Sequence, residues 1–201
     1  MKIVLASNNA KKLVELQALF APLGVELVTQ GSLGIPEAEE PFHTFVENAL
    51  TKARHAAKLS GLPALADDSG LAVDALGGAP GVLSARYATL FGQPKSDADN
   101  NRVLLEKMQG RAGRTARFVC ALVAVKSEAD PEPLIAMGRW QGHILQSLEG
   151  EGGFGYDPLL FIPSEGRSVG QMSAEEKNRL SHRALASVDL ARQMREVWHL
   201  G

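Results

Sequence analysis

Apolar residues recur along this chain at two spacings, and the switch between them outlines its elements. Lys2 to Ala6 is a short apolar run, which predicts a buried first strand. In "SNNAKKLVELQALF", Leu13, Leu16, Leu19 and Phe20 fall at helical intervals, and Pro22 and Gly24 end that helix. Val25 to Thr29 reads as a second strand, and "GSLGIPEAEEP" as an acidic loop punctuated by Gly and Pro. Thr44 opens a second helix, with Thr44 and Glu47 placed for a capping box, and Gly61 stops it after Ser60. Leu62 to Ala66 predicts a short strand leading into "ADDSG", while "DALGGAPGVLSARYA" reads as irregular. Ser96 caps a third helix that carries Val103, Leu104 and Met108 as far as Gly110. Thr115 to Lys126 and Leu134 to Gln146 are the longest strand candidates, joined by "SEADPEP" as a hairpin. "EGEGGFGYDP" is a glycine-rich loop, and Ser173 and Glu176 form a further capping box. In the helical region after it, Leu185, Val188, Ala191, Met194 and Trp198 line up as a stripe for core or dimer packing.

Helices and strands interleave, with an antiparallel hairpin late in the chain, so the pattern predicts an α/β fold with a mixed sheet. The 201 residues suffice for one domain, residues 1–201, burying roughly 70% of the unfolded surface. No repeat, low-complexity tract or long linker divides it. A net charge of −2 supplies no global basic field, so no nucleic acid is expected as a partner. The single cysteine, Cys120, excludes an internal disulfide and reads as a buried small side chain in "RFVCALVAV". No stretch approaches the ~20 apolar residues of a membrane span. "MKIVLASNN" is too short for a signal peptide, and a soluble cytoplasmic protein is expected.

Five stretches carry candidate chemistry. In "LASNNAKKL" a strand ends, polar residues follow and a helix begins, an arrangement whose free N–H groups and dipole suit phosphate. Ser7 and Asn9 supply donors there, and Lys11 and Lys12 supply charge; taken alone, the stretch is an ordinary helix cap with solvated lysines. "PEAEEP" holds Glu37, Glu39 and Glu40. In "ADDSG", successive residues of an extended strand point to opposite faces, so Asp67 and Asp68 do not both face one site. One of them needs a carboxylate partner from elsewhere, Glu39 or Glu40, and two such oxygens plus substrate phosphates is how Mg²⁺ is usually held. In "GGFGYDP" the glycines permit close backbone approach, and Phe154 and Tyr156 offer flat faces to a base. In "EEKNRLSHRA", Lys177, His182 and Arg183 bring donors for keto oxygens or phosphate. Together the five specify a nucleotide.

"SNNAKK", "FVENALTKA", "ADDSGLAVDALGGAPGVLSARYA", "GGFGYDP" and "EEKNRLSHRA" resemble, in order, the inosine triphosphate pyrophosphatase family of non-standard purine triphosphate pyrophosphatases. The resemblance implies a long twisted mixed β-sheet flanked by helices, two lobes with a central active-site cleft, and a homodimer. It implies Mg²⁺-dependent hydrolysis of ITP, dITP and XTP to the monophosphate and pyrophosphate, which clears these nucleotides from the pool. By position, Ser7, Asn8, Asn9, Ala10, Lys11 and Lys12 match the phosphate-binding turn, with Asn9 and Lys12 as its foremost contacts. Glu40 and Asp68 match the metal-binding carboxylates, and Asp68 the general base. Lys52 matches a phosphate-binding lysine and Ser69 a substrate contact. Phe154, Gly155, Tyr156 and Asp157 match the base-binding loop, and Lys177, His182 and Arg183 the residues that read the purine. Asp67 receives no chemistry; it faces away and orients a neighbouring loop.

Two rival readings differ in class. Asp-Ser-Gly is also the aspartic protease triplet, but those enzymes are all-β and need two such triplets, whereas this chain has one and several strong helices. A non-catalytic nucleotide sensor would use the same pocket; pyrophosphate release from dITP separates it from an enzyme.

Overall fold

A computed structural model describes residues 1–201. The strands are β1 (Lys2–Leu5), β2 (Glu26–Thr29), β3 (Ala64–Val73), β4 (Thr115–Val125), β5 (Leu134–Ile144), β6 (Leu160–Ile162) and β7 (Arg167–Ser168). The helices are α1 (Ala10–Phe20), α2 (Phe45–Ser60), α3 (Asp97–Lys107), α4 (Ala174–Leu180) and α5 (His182–Trp198). The sheet order is β2-β1-β3-β4-β5-β6-β7. β1 pairs in parallel with β2 and β3, and β6 pairs antiparallel with β5 and β7. This is the mixed sheet the pattern predicts. β4 and β5 are neighbours joined by residues 126–133, a connection too short for a parallel crossover.

The chain folds as two compact units. The first comprises Met1–Asp68, Cys120–Gly138 and His182–Gly201; the second comprises Ser69–Val119 and Arg139–Ser181.

In the first unit the sheet buries both faces, and strand alternation sorts its residues. Ile3, Leu5, Leu65, Leu122, Leu134 and Ala136 share a core with Leu16 and Phe20 of α1 and Leu190, Met194 and Trp198 of α5. Val4, Ala6, Ala64, Ala66, Ala121 and Val123 share the other core with Ala49, Ala53, Ala56 and Ala57 of α2. The small side chains along α2 let its backbone approach the sheet closely. In the second unit, Leu71, Val73, Leu104, Met108, Phe118, Trp140, Tyr156 and Leu160 form one core.

Most predicted boundaries agree to within a residue or two. α2 begins after the cap Thr44 and ends at Gly61, a glycine with φ +67°. Its cap is not a reciprocal box, because Glu47 Oε2 takes the Thr44 hydroxyl rather than the Thr44 N–H. The box at Ser173 and Glu176 is reciprocal.

Three expectations are corrected. The third strand does not stop at Ala66: β3 runs through both aspartates to Val73, because residues 71–73 bury Leu71 and Val73 in the core of the second unit. The segment read as irregular contains 3-10 turns at Asp74–Leu76 and Gly81–Phe91. The C-terminal stripe is shifted, since Ala186, Leu190, Met194 and Trp198 are buried while Leu185 and Val188 stand 48% and 70% exposed. The helix restarts at His182 rather than running on from α4, and that restart sets its phase.

Candidate active site

The turn between β1 and α1 is built by its own polar side chains. Asn9 caps α1, its Oδ1 accepting from the N–H groups of Lys11 (2.9 Å) and Lys12 (3.2 Å), while Ser7 Oγ accepts from the Asn9 N–H (3.1 Å). The Asn9 oxygen therefore orders the turn instead of waiting for a ligand. Asn8 Nδ2 donates to Glu37 at 3.2 Å. Gly31 makes room for Asn8, because a Cβ there would lie 2.5 Å from Asn8 Oδ1. Ser7 to Lys12 thus form one exposed or half-buried helix start, the kind of place where N–H groups and dipole favour an anion.

Strand alternation decides what happens at Asp67 and Asp68. Asp68 has the parity of Ala66 and points toward α2. There Lys52 Nζ lies 2.9 Å from Asp68 Oδ1 and 2.5 Å from Glu40 Oε1. Burial drives the Asp68 carboxyl pKa up, and nearby Glu40 adds to this; Lys52 offsets it only in part. Burial pulls the Lys52 pKa down, but Asp68 and Glu40 together overcome it and leave it raised, so the ammonium is charged at neutral pH. Asp68 Oδ2 is buried and has no hydrogen-bond partner.

Asp67 has the parity of Leu65 and points toward α1 and α5. Its side chain is 0% exposed, with Lys12 Nζ 2.6 Å from Oδ1 and Arg183 Nε 2.6 Å from Oδ2. Cys120 Sγ donates to Oδ2 at 3.6 Å, and Arg183 Nη1 also pairs with Glu15. Burial alone would raise the Asp67 pKa; Arg183 and Lys12 outweigh it and hold it well below the carboxylate range. Removing one partner from so buried a set strands a charge, at a cost of about 3–5 kcal/mol. Asp67 thus faces away from Asp68, as expected, but its partners are not those of a residue that orients a loop. It is the centre of an ion network.

The two lysines meet at the backbone between the aspartates. The Asp67 carbonyl oxygen accepts from Lys52 Nζ at 3.0 Å and from Lys12 Nζ at 3.5 Å. Both ammonium groups therefore converge on one carbonyl.

The start of α5 is set against β5. A Cβ at Gly138 would overlap the His182 carbonyl oxygen and lie 2.8 Å from the Ala186 nitrogen. His182 is 5% and Arg183 1% exposed. Sequence reasoning offered Arg183 as a donor to the purine, yet its Nε and Nη1 donate to Asp67 and Glu15.

In the second unit, the loop 153–157 is held from below. Asp157 Oδ2 accepts from the Phe154 N–H (2.9 Å) and from Lys177 Nζ (2.8 Å). Gly155 is gripped by Asp97, which accepts its N–H at 2.7 Å, and by Asn101, which donates to its carbonyl at 2.8 Å. Tyr156 is 3% exposed and its hydroxyl donates to the Ser84 carbonyl at 2.9 Å. The expectation that Tyr156 offers a face to a base is thus corrected: its ring fills the core and anchors the loop. Phe154 is the half-buried aromatic, with Lys177 Nζ 4.1 Å from its ring centroid. Ser69 sits half-buried on β3 immediately after Asp68.

Sequence reasoning missed Glu15, Gly31, Asp97, Asn101 and Gly138. Glu15 is one charged residue on an amphipathic helix, and Asn101 sits inside α3 with no motif around it. Only a glycine within a predicted strand, as at Gly138, carries a signal, since it marks a close approach of another backbone.

The Ham1 family model matches residues 3–193. The dITP/XTP pyrophosphatase of Leptothrix cholodnii is 63% identical over 211 residues, covering 100% of both chains. That of Methylibium petroleiphilum is 65% identical over 206 residues, covering 98% of this chain and 99% of its own. A HAM1 protein structure from Coxiella burnetii superposes with a TM-score of 0.91 at 44% identity, over 98% of this chain and 100% of that one. The Staphylococcus aureus Ham1 protein gives 0.86 at 36% identity, over 98% and 99%. The likeness first read from five short motifs thus extends over the whole length of the chain, in sequence and in fold, and the chain belongs to the Ham1 family.

Proposed function

We infer that this chain is a nucleoside triphosphate pyrophosphohydrolase that clears dITP, ITP and XTP-type purines from the nucleotide pool; its relatives are named dITP/XTP pyrophosphatases. The observation that carries this reading is Lys52 bridging Glu40 and Asp68 beside a buried Asp68 oxygen without a partner.

That oxygen and the Glu40 carboxylate suit Mg²⁺, which is usually held by one or two carboxylates together with substrate phosphates. No group of three or more acidic, His or Cys side chains is present to form a complete protein cage, so phosphate and water would fill the remaining positions. When bound, Mg²⁺ supplies charge neutralisation at the phosphates.

The chain's own residues supply the rest. A triphosphate carries about four negative charges, which repel a nucleophile; Lys12, Lys52 and the α1 N-terminus offset them and hold the phosphates in line. Asp68 accepts a hydrogen bond from the attacking water and orients it toward the α-phosphorus. The water oxygen bonds to that phosphorus, the bond to the β-phosphate oxygen breaks, and pyrophosphate leaves. Asp68 takes the proton and returns it to solvent. Burial raises the pKa of this carboxylate while a cation held by it would lower it, so orienting the water is its larger part.

The Phe154 ring is assigned to the purine base. In the same unit, Lys177 and backbone N–H groups are assigned to the 6-keto oxygen, while in the first unit Arg183 holds the start of α5. Adenine presents an amino group there, and each buried donor left facing it costs about 1–3 kcal/mol.

In a product assay with Mg²⁺, dITP and XTP should yield pyrophosphate with far higher kcat/KM than dATP or dGTP, and excess EDTA should stop the reaction. Release of orthophosphate, or no release from any triphosphate, counts against the reading. The active form is expected to be a cytoplasmic homodimer, with exposed Val14, Leu185 and Val188 as apolar surface on α1 and α5. Sedimentation should give twice the chain mass; a monomer at micromolar concentration rejects the dimer.

A further inference from the structure

We propose that Asp67 is a positioning residue whose carboxylate fixes Lys12 so that two ammonium groups form a preset seat for phosphate. The inference rests on the reading of Lys12 and Lys52 as phosphate-binding residues and extends it to how they are placed.

Lysine has four rotatable side-chain bonds, and an exposed lysine loses much of that freedom when it binds a ligand. Here the loss is taken on folding. Asp67 Oδ1 holds Lys12 Nζ at 2.6 Å, and the Asp67 carbonyl holds Lys52 Nζ at 3.0 Å and Lys12 Nζ at 3.5 Å. Two like charges on one carbonyl repel each other, and the flanking carboxylates of Asp67 and Asp68 offset that on opposite faces of β3. Asp67 is itself kept in place by Arg183, which Glu15 holds from α1. The chain Glu15–Arg183–Asp67–Lys12 thus begins and ends on α1 and ties the start of α5 to it.

Such a set could be only a device of folding. That role would tie Asp67 to stability but not to Lys12 in particular. Positioning requires that the effect of losing Asp67 on phosphate binding vanish when Lys12 is absent.

The test is a double-mutant cycle on full-length protein with Lys12→Ala, Asp67→Asn and the pair. The affinity for pyrophosphate with saturating Mg²⁺ is read by calorimetry, which needs no turnover, together with KM and kcat for dITP. Asp67→Asn should weaken pyrophosphate binding about tenfold and raise KM more than it lowers kcat. Added to Lys12→Ala, it should change pyrophosphate affinity less than about twofold. An equal loss in both backgrounds, or none in either, overturns the proposal.

Asp67→Asn leaves Arg183 buried without its full partner, so a charge-balanced variant, Asp67→Asn with Arg183→Gln, keeps the question answerable should the single variant not fold. It should also lose pyrophosphate affinity about tenfold, and wild-type affinity in it overturns the proposal. Failure of the wild type to release pyrophosphate from dITP would strike the functional reading, whereas an additive cycle in an active enzyme strikes only the positioning role.

Discussion

Replacing Asp68 by Asn is expected to lower kcat for dITP by about a thousandfold or more while the protein still folds and melts close to the wild type. The two halves of this result have separate causes. The amide has the shape of the carboxylate and keeps an oxygen to accept from Lys52, so the 2.9 Å contact survives with less charge. The carboxylate being removed is itself strained by its surroundings, since burial raises its pKa and its second oxygen lacks a partner. Little stability is lost with it. Function is different, because an amide neither takes a proton from water nor contributes a negative oxygen to a cation. Pre-steady-state release of pyrophosphate, measured beside a thermal melt, separates the halves. Near-wild-type turnover would remove Asp68 from both roles; a melt far below the wild type would make it a residue of the fold.

The second large effect is expected at a position with no side chain. Gly138→Ala should destabilise the protein by about 1–3 kcal/mol and raise the KM for dITP. Its Cβ would overlap the His182 carbonyl oxygen and press on the Ala186 nitrogen, both main-chain atoms of α5 that cannot rotate aside. The helix start must therefore shift away from β5. Arg183 is the second residue of that helix and its Nε lies 2.6 Å from Asp67. A shift of a few tenths of an ångström already weakens this contact and, through Asp67, the hold on Lys12. Unchanged Tm and KM in Gly138→Ala would mean that α5 slides over the sheet without cost.

The aspartates mark the boundary between what could be read from the chain and what could not. That Asp67 and Asp68 point to opposite faces follows from the two-residue period of a strand, and β3 obeys it. What each one meets does not follow, because Lys12, Cys120 and Arg183 reach Asp67 from three distant segments and Lys52 reaches Asp68 from a fourth. The glycine-rich loop illustrates the same limit. Two aromatics one residue apart in "FGY" look alike in sequence. Only the Ser84 carbonyl and the surrounding core reveal that Tyr156 is an anchor and Phe154 the half-buried ring.

By itself the sequence determined most of the elements and many of their ends. Caps at Asn9, Thr44, Ser96 and Ser173, and the alternation of apolar residues in the strands, act over a few residues and need no knowledge of the rest. It also pointed to a class of ligand, because the motifs carry residue types suited to phosphate, metal and ring chemistry. The tertiary structure alone decided which charges meet. A buried carboxylate must find its counter-charges wherever packing brings them, and packing brought Lys52 from α2 to Asp68, and Lys12 and Arg183 from α1 and α5 to Asp67.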